Sequence, residues 1–216
     1  MGNLLHRWLL MGLSVALLAG CESTYYSTME RLGIEKREIL VDRVSDARDS
    51  QVEAQQQFAS ALEEYASLVN FDGGDLQRLY DALNDDFEQS EAAAQKVSER
   101  IDAIERVADA LFTEWQDELE LYSNASMRRD SEQKLRATQR RYSQLLGAMR
   151  TAEQRMQPVI NGLRDNVLYL KHNLNASAIG ALQGELDTIE SDIEQLLSDM
   201  ASAIAESDAF IASMTL

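Results

Sequence analysis

Four stretches of this chain carry apolar or small residues at alternating spacings of three and four, without a stutter, and that pattern admits one kind of secondary structure. The first seam runs Leu40, Val44, Ala47, Gln51, Ala54, Phe58, Ala61, Tyr65 and Leu68. The second runs Tyr80, Leu83, Phe87, Ser90, Ala94, Val97, Ile101, Ile104, Ala108, Leu111 and Trp115. The third runs Leu135, Thr138, Tyr142, Leu145, Met149, Ala152, Met156, Val159, Leu163, Asn166 and Leu170. The fourth runs Ile179, Leu182, Leu186, Ile189, Ile193, Leu196, Met200, Ala203, Ser207, Phe210 and Met214. A stripe of this period lies along one side of an α-helix and packs against the same stripe on a neighbour. Strands would need a period of two, and no hairpin or βαβ pattern is present.

The breaks between the seams set the topology. Residues 70–75, with Gly73 and Gly74, form a turn that Asp75 can close as the N-cap of a second helix. A softer break follows at Tyr122–Ser126, and another at His172–Ser177. Short connections between long helices put sequential helices side by side and antiparallel. The expected fold is all-α: an elongated antiparallel four-helix bundle of coiled-coil hairpins, its helices about 35 to 45 residues and 55 to 65 Å long at 1.5 Å per residue. The chain has one proline and ten glycines in 216 residues, in keeping with long helices. The proline, Pro158, interrupts the third seam; it removes a backbone donor and predicts a kink without a domain boundary.

The N-terminus reads as an address. His6 and Arg7 precede an almost wholly apolar run, Trp8 to Ala19, too short to span a bilayer core of about 30 Å. It ends in Leu18, Ala19, Gly20 and Cys21, which resembles the bacterial lipobox: small residues leading to a cysteine whose thiol takes a diacylglyceryl thioether and becomes the mature N-terminus. An ordinary signal peptide with an incidental cysteine is the plainer alternative. Cys21 is the only cysteine, so no disulfide can form within the chain. Glu22, and not Asp, follows it, which in the usual sorting pattern directs a lipoprotein to the outer membrane, facing the periplasm. The expected organisation is residues 1–20 signal peptide, 21–33 lipid-anchored stub with a bend at Gly33, and 34–216 one helical domain.

Charge narrows the partners. The formal net charge is −17, and removal of Arg7 with the leader makes the mature chain one unit more negative, which argues against nucleic acid. Basic residues gather at one end: Arg31, Lys36 and Arg37 before the first seam, and Arg128, Arg129, Lys134, Arg136, Arg140 and Arg141 before the third. They suit anionic head groups at the anchored end. Pairing with Glu114, Asp117, Glu118 and Glu120 is the simpler reading. The fourth helix has no Lys or Arg and carries Glu185, Asp187, Glu190, Asp192, Glu194, Asp199, Glu206 and Asp208, either a solvated face or a dock for a basic partner or divalent cations.

Several chemistries lack their residues. After the leader the single histidine is His172, with Tyr169 where a Glu-x-x-His metal pair needs Glu. There is no cysteine–histidine zinc set, no serine motif for a catalytic triad and no phosphate-binding glycine loop. Catalytic residues, a metal and a cofactor are therefore not expected. Asn124-Ala-Ser126 and Asn175-Ala-Ser177 match the glycosylation pattern by chance.

The stretch from Met29 to Phe58, most specifically Lys36-Arg37 through Asp49, resembles the start of an uncharacterised family of Gram-negative bacterial lipoproteins catalogued only as a domain of unknown function. The resemblance implies a helical lipoprotein over the whole mature chain and brings no activity. Its charge density marks Lys36, Arg37, Asp42, Arg43, Asp46, Arg48 and Asp49 as an interaction or ion-pair network near the membrane; intrahelical pairs are the plainer reading. These features favour a non-enzymatic scaffold or adaptor on the membrane, engaging an envelope protein; Val41, Val69, Leu197, Ile204 and Ile211, flanking the seams, either broaden the core or make a second contact surface, which leaves homo-oligomers open. The alternative is a bundle holding a lipid or other apolar ligand beside small seam residues such as Ala54, Ser90, Ala94 and Ala152; an enzyme comes third.

Overall fold

The computed structural model describes residue 29 and residues 35–70, 75–173 and 176–214. These form four helices: α1 Lys36–Val69, α2 Leu76–Leu119, α3 Ala125–His172 and α4 Ala176–Met214. The expected turn Gly73-Gly74, the bend at Gly33 and the Asn175–Ser177 motif fall wholly or partly outside what is described.

The helices close into a ring, α1 on α2, α2 on α3, α3 on α4 and α4 on α1. Cross-links between them fix the directions. On α1 and α2, Lys36 meets Glu114 while Gln57 meets Asp86. On α1 and α4, Arg48 meets Asp208 while Tyr65 meets Leu182. On α2 and α3, Trp115 meets Ser131 while Glu91 meets Arg164. In each pair residue number rises on one helix as it falls on the other, so neighbours are antiparallel.

The core is the four seams brought together. All nine seam residues of α1 are buried, and on α4 only Leu186 is half-exposed. On α2 and α3 the seam is less complete: Tyr80, Phe87, Trp115, Thr138, Tyr142 and Asn166 are half-buried. Their bulk and polar atoms reach the rim, where Phe112 meets Tyr142 edge-on at 5.3 Å and Arg164 lies 5.6 Å over the Phe87 ring. The flanking positions do not form one outer face: Val69 is buried, and Val41, Leu197 and Ile211 pack against the core.

Buried polar seam residues are mostly satisfied within their own helix. Ser50, Ser90 and Ser207 donate to the carbonyls of Asp46, Asp86 and Ala203 at 2.9, 2.7 and 2.7 Å. Gln51 is different: it is fully buried, and neither amide atom has a hydrogen-bond partner. α3 runs through Pro158 as one element, with Met156, Val159 and Leu163 buried on both sides of it. Pro158 and Gln154 lie on the exposed side, where water can satisfy the Gln154 carbonyl that the proline leaves without a donor.

Two helix starts are capped by side chains, the first of them as read from the sequence. Asp75 accepts from the Arg78 amide at 3.2 Å, and Asn124 accepts from the amides of Ser126 and Met127 at 2.9 and 3.3 Å. The Asn-Ala-Ser triplet at 124 is thus a helix cap. α3 begins ten residues before its seam, so its first turns stand beyond the core, and residues 120–130 are all exposed.

Candidate functional site

Two of the regions singled out by charge meet at one end of the rod, where α1 starts, α4 ends and α2 turns into α3. The residues of the first, on α1, divide between two neighbouring helices. Lys36 reaches Glu114 of α2 at 3.0 Å, and Arg37 donates to the Met214 carbonyl at the end of α4. Asp46 accepts from Arg43 at 3.4 Å and from Arg100 of α2 at 3.3 Å. Arg48 pairs with Asp49 at 2.8 Å and with Asp208 of α4 at 3.1 Å. Asp42 lines a shallow recess with Arg37, Glu38, Val41 and Met214. The density of charge on this helix therefore serves ties across both of its interfaces as well as pairs along it. Cys21 and the motif Leu18–Gly20 lie outside the described residues, as does Arg31.

The basic cluster at the start of α3 is largely paired. Arg128 meets Glu120 across the turn at 2.7 Å, Lys134 meets Asp130 at 2.8 Å, and Arg136 meets Glu132 at 2.5 Å. Of the expected pairs with the end of α2, Arg128–Glu120 and Lys36–Glu114 form, while Lys134 and Arg136 pair within α3 instead. Arg129, Arg140 and Arg141 are exposed, with no ion pair among the described residues.

Sequence reasoning did not single out what lies between these clusters. Leu121 is 81% exposed, Tyr122 40% and Met127 57%, three large apolar side chains within seven residues. Leu121 and Tyr122 lie in the break and Met127 in the first turn of α3, ahead of its seam, where no repeat betrays which way they face; the signal available was their size in an otherwise polar stretch. Tyr122 and Met127 line an open groove with Trp115, Ser131 and Lys134, and the Trp115 indole N–H donates to the Ser131 hydroxyl at 2.8 Å.

A third concentration of charge joins α2 to α3. Arg150 bonds Asp102 at 2.6 Å and Glu153 at 2.7 Å, and also Glu105. Partial burial works against its charge, but the bonds to Glu153, Asp102 and Glu105 outweigh it and hold the guanidinium pKa above its ordinary value. Ser98 donates to Glu153 at 2.5 Å, and Arg164 meets Glu91 at 2.5 Å. These bonds form a seam of ion pairs between α2 and α3. On α4, Asp199 is taken by Arg155 at 2.5 Å and Asp208 by Arg48; Glu185, Asp187, Glu190, Asp192, Glu194 and Glu206 are exposed.

Among the described residues no three His, Cys, Asp or Glu side chains are placed to hold a metal ion, and no helix is long and apolar enough to cross a membrane. A comparison with curated proteins finds no match. The sequence profile of one family does match, from residue 25 to residue 214, which takes in all four helices. The chain belongs to that family, DUF2959, described as "Protein of unknown function".

Proposed function

We propose that this protein is a lipid-anchored, non-enzymatic scaffold or adaptor, held by acyl chains on Cys21 to the outer membrane of a Gram-negative bacterium and presenting a rigid helical rod to the periplasm. The observation that carries the reading is the closed ring itself. Each helix spends its apolar stripe on two neighbours, as a spacer or presenting surface requires, and α1 begins fifteen positions after Cys21 in the sequence. Two or three acyl chains make a durable anchor, since each buried methylene contributes about 0.8 kcal/mol. A protein of the envelope is the expected partner, and it meets the helical sides or the distal turns.

The ligand-binding alternative has less behind it. Of the small seam residues proposed to line a gap, Ser90 turns its hydroxyl back on its own helix, and Ala94 borders a groove whose other walls include Glu91, Gln95, Glu153 and Gln157. That groove also carries Met156 and Ile160, while Ala54 and Ala152 are fully buried in the core.

Photo-crosslinking in cells from exposed positions on α4 and near the distal turns tests the scaffold reading. The same envelope protein captured repeatedly from one face is the expected result. A chain that crosslinks to nothing reproducible, or that co-purifies with a stoichiometric small lipid inside the bundle, contradicts it.

A further inference from the structure

The α2–α3 turn is built differently from an ordinary polar hairpin tip. Leu121, Tyr122 and Met127 are three of the five large apolar side chains exposed among the described residues, and they share one end of the rod. Asn124 accepts from the amides of Ser126 and Met127 and from the Ser126 hydroxyl, and the Leu121 amide donates to the Glu118 carbonyl at 3.0 Å. Arg128 and Arg129 follow at once, and Lys134 stands one to two turns behind.

The position of the tip along the rod selects its partner. Glu114 of α2 is level with Lys36 at the start of α1, and Met214 of α4 is level with Arg37. The tip therefore projects about five residues, roughly 8 Å, past those ties. It does so at the end where the chain comes in from Cys21. Fourteen residues lie between Cys21 and Lys36, a span of at most about 50 Å, so the start of α1 is the part of the bundle tied nearest to the anchor. An apolar tip with a tyrosine and two arginines, facing a bilayer at short range, matches the makeup of groups that settle among head groups and upper acyl chains.

From this placement we propose that the α2–α3 turn is a second membrane contact: Leu121, Tyr122 and Met127 enter the head-group region and the exposed Arg129 binds lipid phosphate while Arg128 stays paired with Glu120, so the rod stands on two points. The inference rests on the anchored reading for its choice of surface. Asp117, Glu118 and Glu120 lie beside the tip on α2 and offset its cations, so contact depends on the apolar side chains and changes little with the fraction of anionic lipid.

Two reporters on the mature full chain test this, each with Trp115→Phe: Tyr122→Trp at the tip, and Tyr169→Trp at the far end of α3, itself 44% exposed. Each protein is placed in vesicles of phosphatidylethanolamine and phosphatidylglycerol with brominated acyl chains, and the state of Cys21 is read by mass. The expected result is loss of most emission with a blue shift for the tip reporter and neither for the distal one. Adding Leu121→Glu and Met127→Glu abolishes the quenching while circular dichroism is unchanged. Equal emission from both reporters, quenched or not, overturns the proposal. Because Cys21 is read separately, an unmodified thiol counts against the anchor, while tip quenching in added vesicles judges the contact on its own.

Discussion

The Tyr65 hydroxyl donates to the carbonyl of Leu182 at 3.0 Å, across 117 positions of sequence. The phenol is fully buried, and the bond joins the last turns of α1 to the first turns of α4. It is a direct tie between the first and last helices of the bundle, within the core, and it closes the ring at the end opposite Lys36 and Met214.

Removing only that hydroxyl leaves the Leu182 carbonyl without its tyrosine donor. Tyr65→Phe is expected to lower stability by about 1 kcal/mol, the usual net value of such a bond. Tyr65→Ala also leaves a cavity and is expected to lose about 3 to 5 kcal/mol, as large aromatic truncations do. Urea unfolding followed by circular dichroism gives both values, and equal effects of the two substitutions would contradict the packing described.

Gln51 sits in the α1 seam with both amide atoms unpaired and no exposure. Burying an unsatisfied polar group is unfavourable by about 1 to 3 kcal/mol. Gln51→Leu or Gln51→Met, close in volume, is therefore expected to stabilise the bundle by about 1 to 2 kcal/mol. If Gln51 instead fixes which helix faces which, the same variants gain stability but lose a single oligomeric state, which sedimentation detects.

Four glycines lie within α3 and α4, and a Cβ placed on Gly147, Gly162, Gly180 or Gly184 meets nothing within 4 Å. Glycine inside a helix is unfavourable relative to alanine by about 0.5 to 1 kcal/mol. Each Gly→Ala change is expected to raise stability by that amount, and the four to add, since they are spread along two long helices. A loss at Gly180 or Gly184 alone would indicate that a neighbour packs against that stretch of α4 in solution.

Alkaline pH should weaken the bundle through two phenols. Burial lifts the pKa of both Tyr65 and Tyr142 above the ordinary 10.0, with the charges of Glu185 near the first and of Glu105 and Asp109 near the second adding to it. The folded chain holds these protons more tightly than the unfolded chain. The stability they contribute is whole below pH 10.0 and falls as pH rises through the folded values. Ultraviolet titration should show the Tyr65 and Tyr142 phenols ionising above the ordinary 10.0, and Tyr65→Phe together with Tyr142→Phe should reduce the alkaline loss.

The helices were legible because each seam repeats over many turns, and a stripe of that length has no strand reading. Every seam residue of α1, from Leu40 to Leu68, is buried. Legibility faded where one residue does two jobs. Trp115 and Phe87 carry the seam period yet stand at the rim, because Trp115 also bonds Ser131 and Phe87 also receives Arg164. Arg150 was invisible as a hub, since nothing in the spacing of charges tells which acids lie across an interface. The apolar tip at Leu121 and Tyr122 was missed for a related reason: a turn has no period, so burial there depends on what the neighbouring helices leave uncovered.

The account turns on the first residue of the mature chain. Protein purified from bacterial membranes, digested and examined by mass spectrometry of its N-terminal peptide, should begin at Cys21 and carry a diacylglyceryl group on sulfur, with or without an acyl group on the new α-amine. A peptide that begins upstream of Cys21, or one whose Cys21 keeps a free thiol, would contradict it.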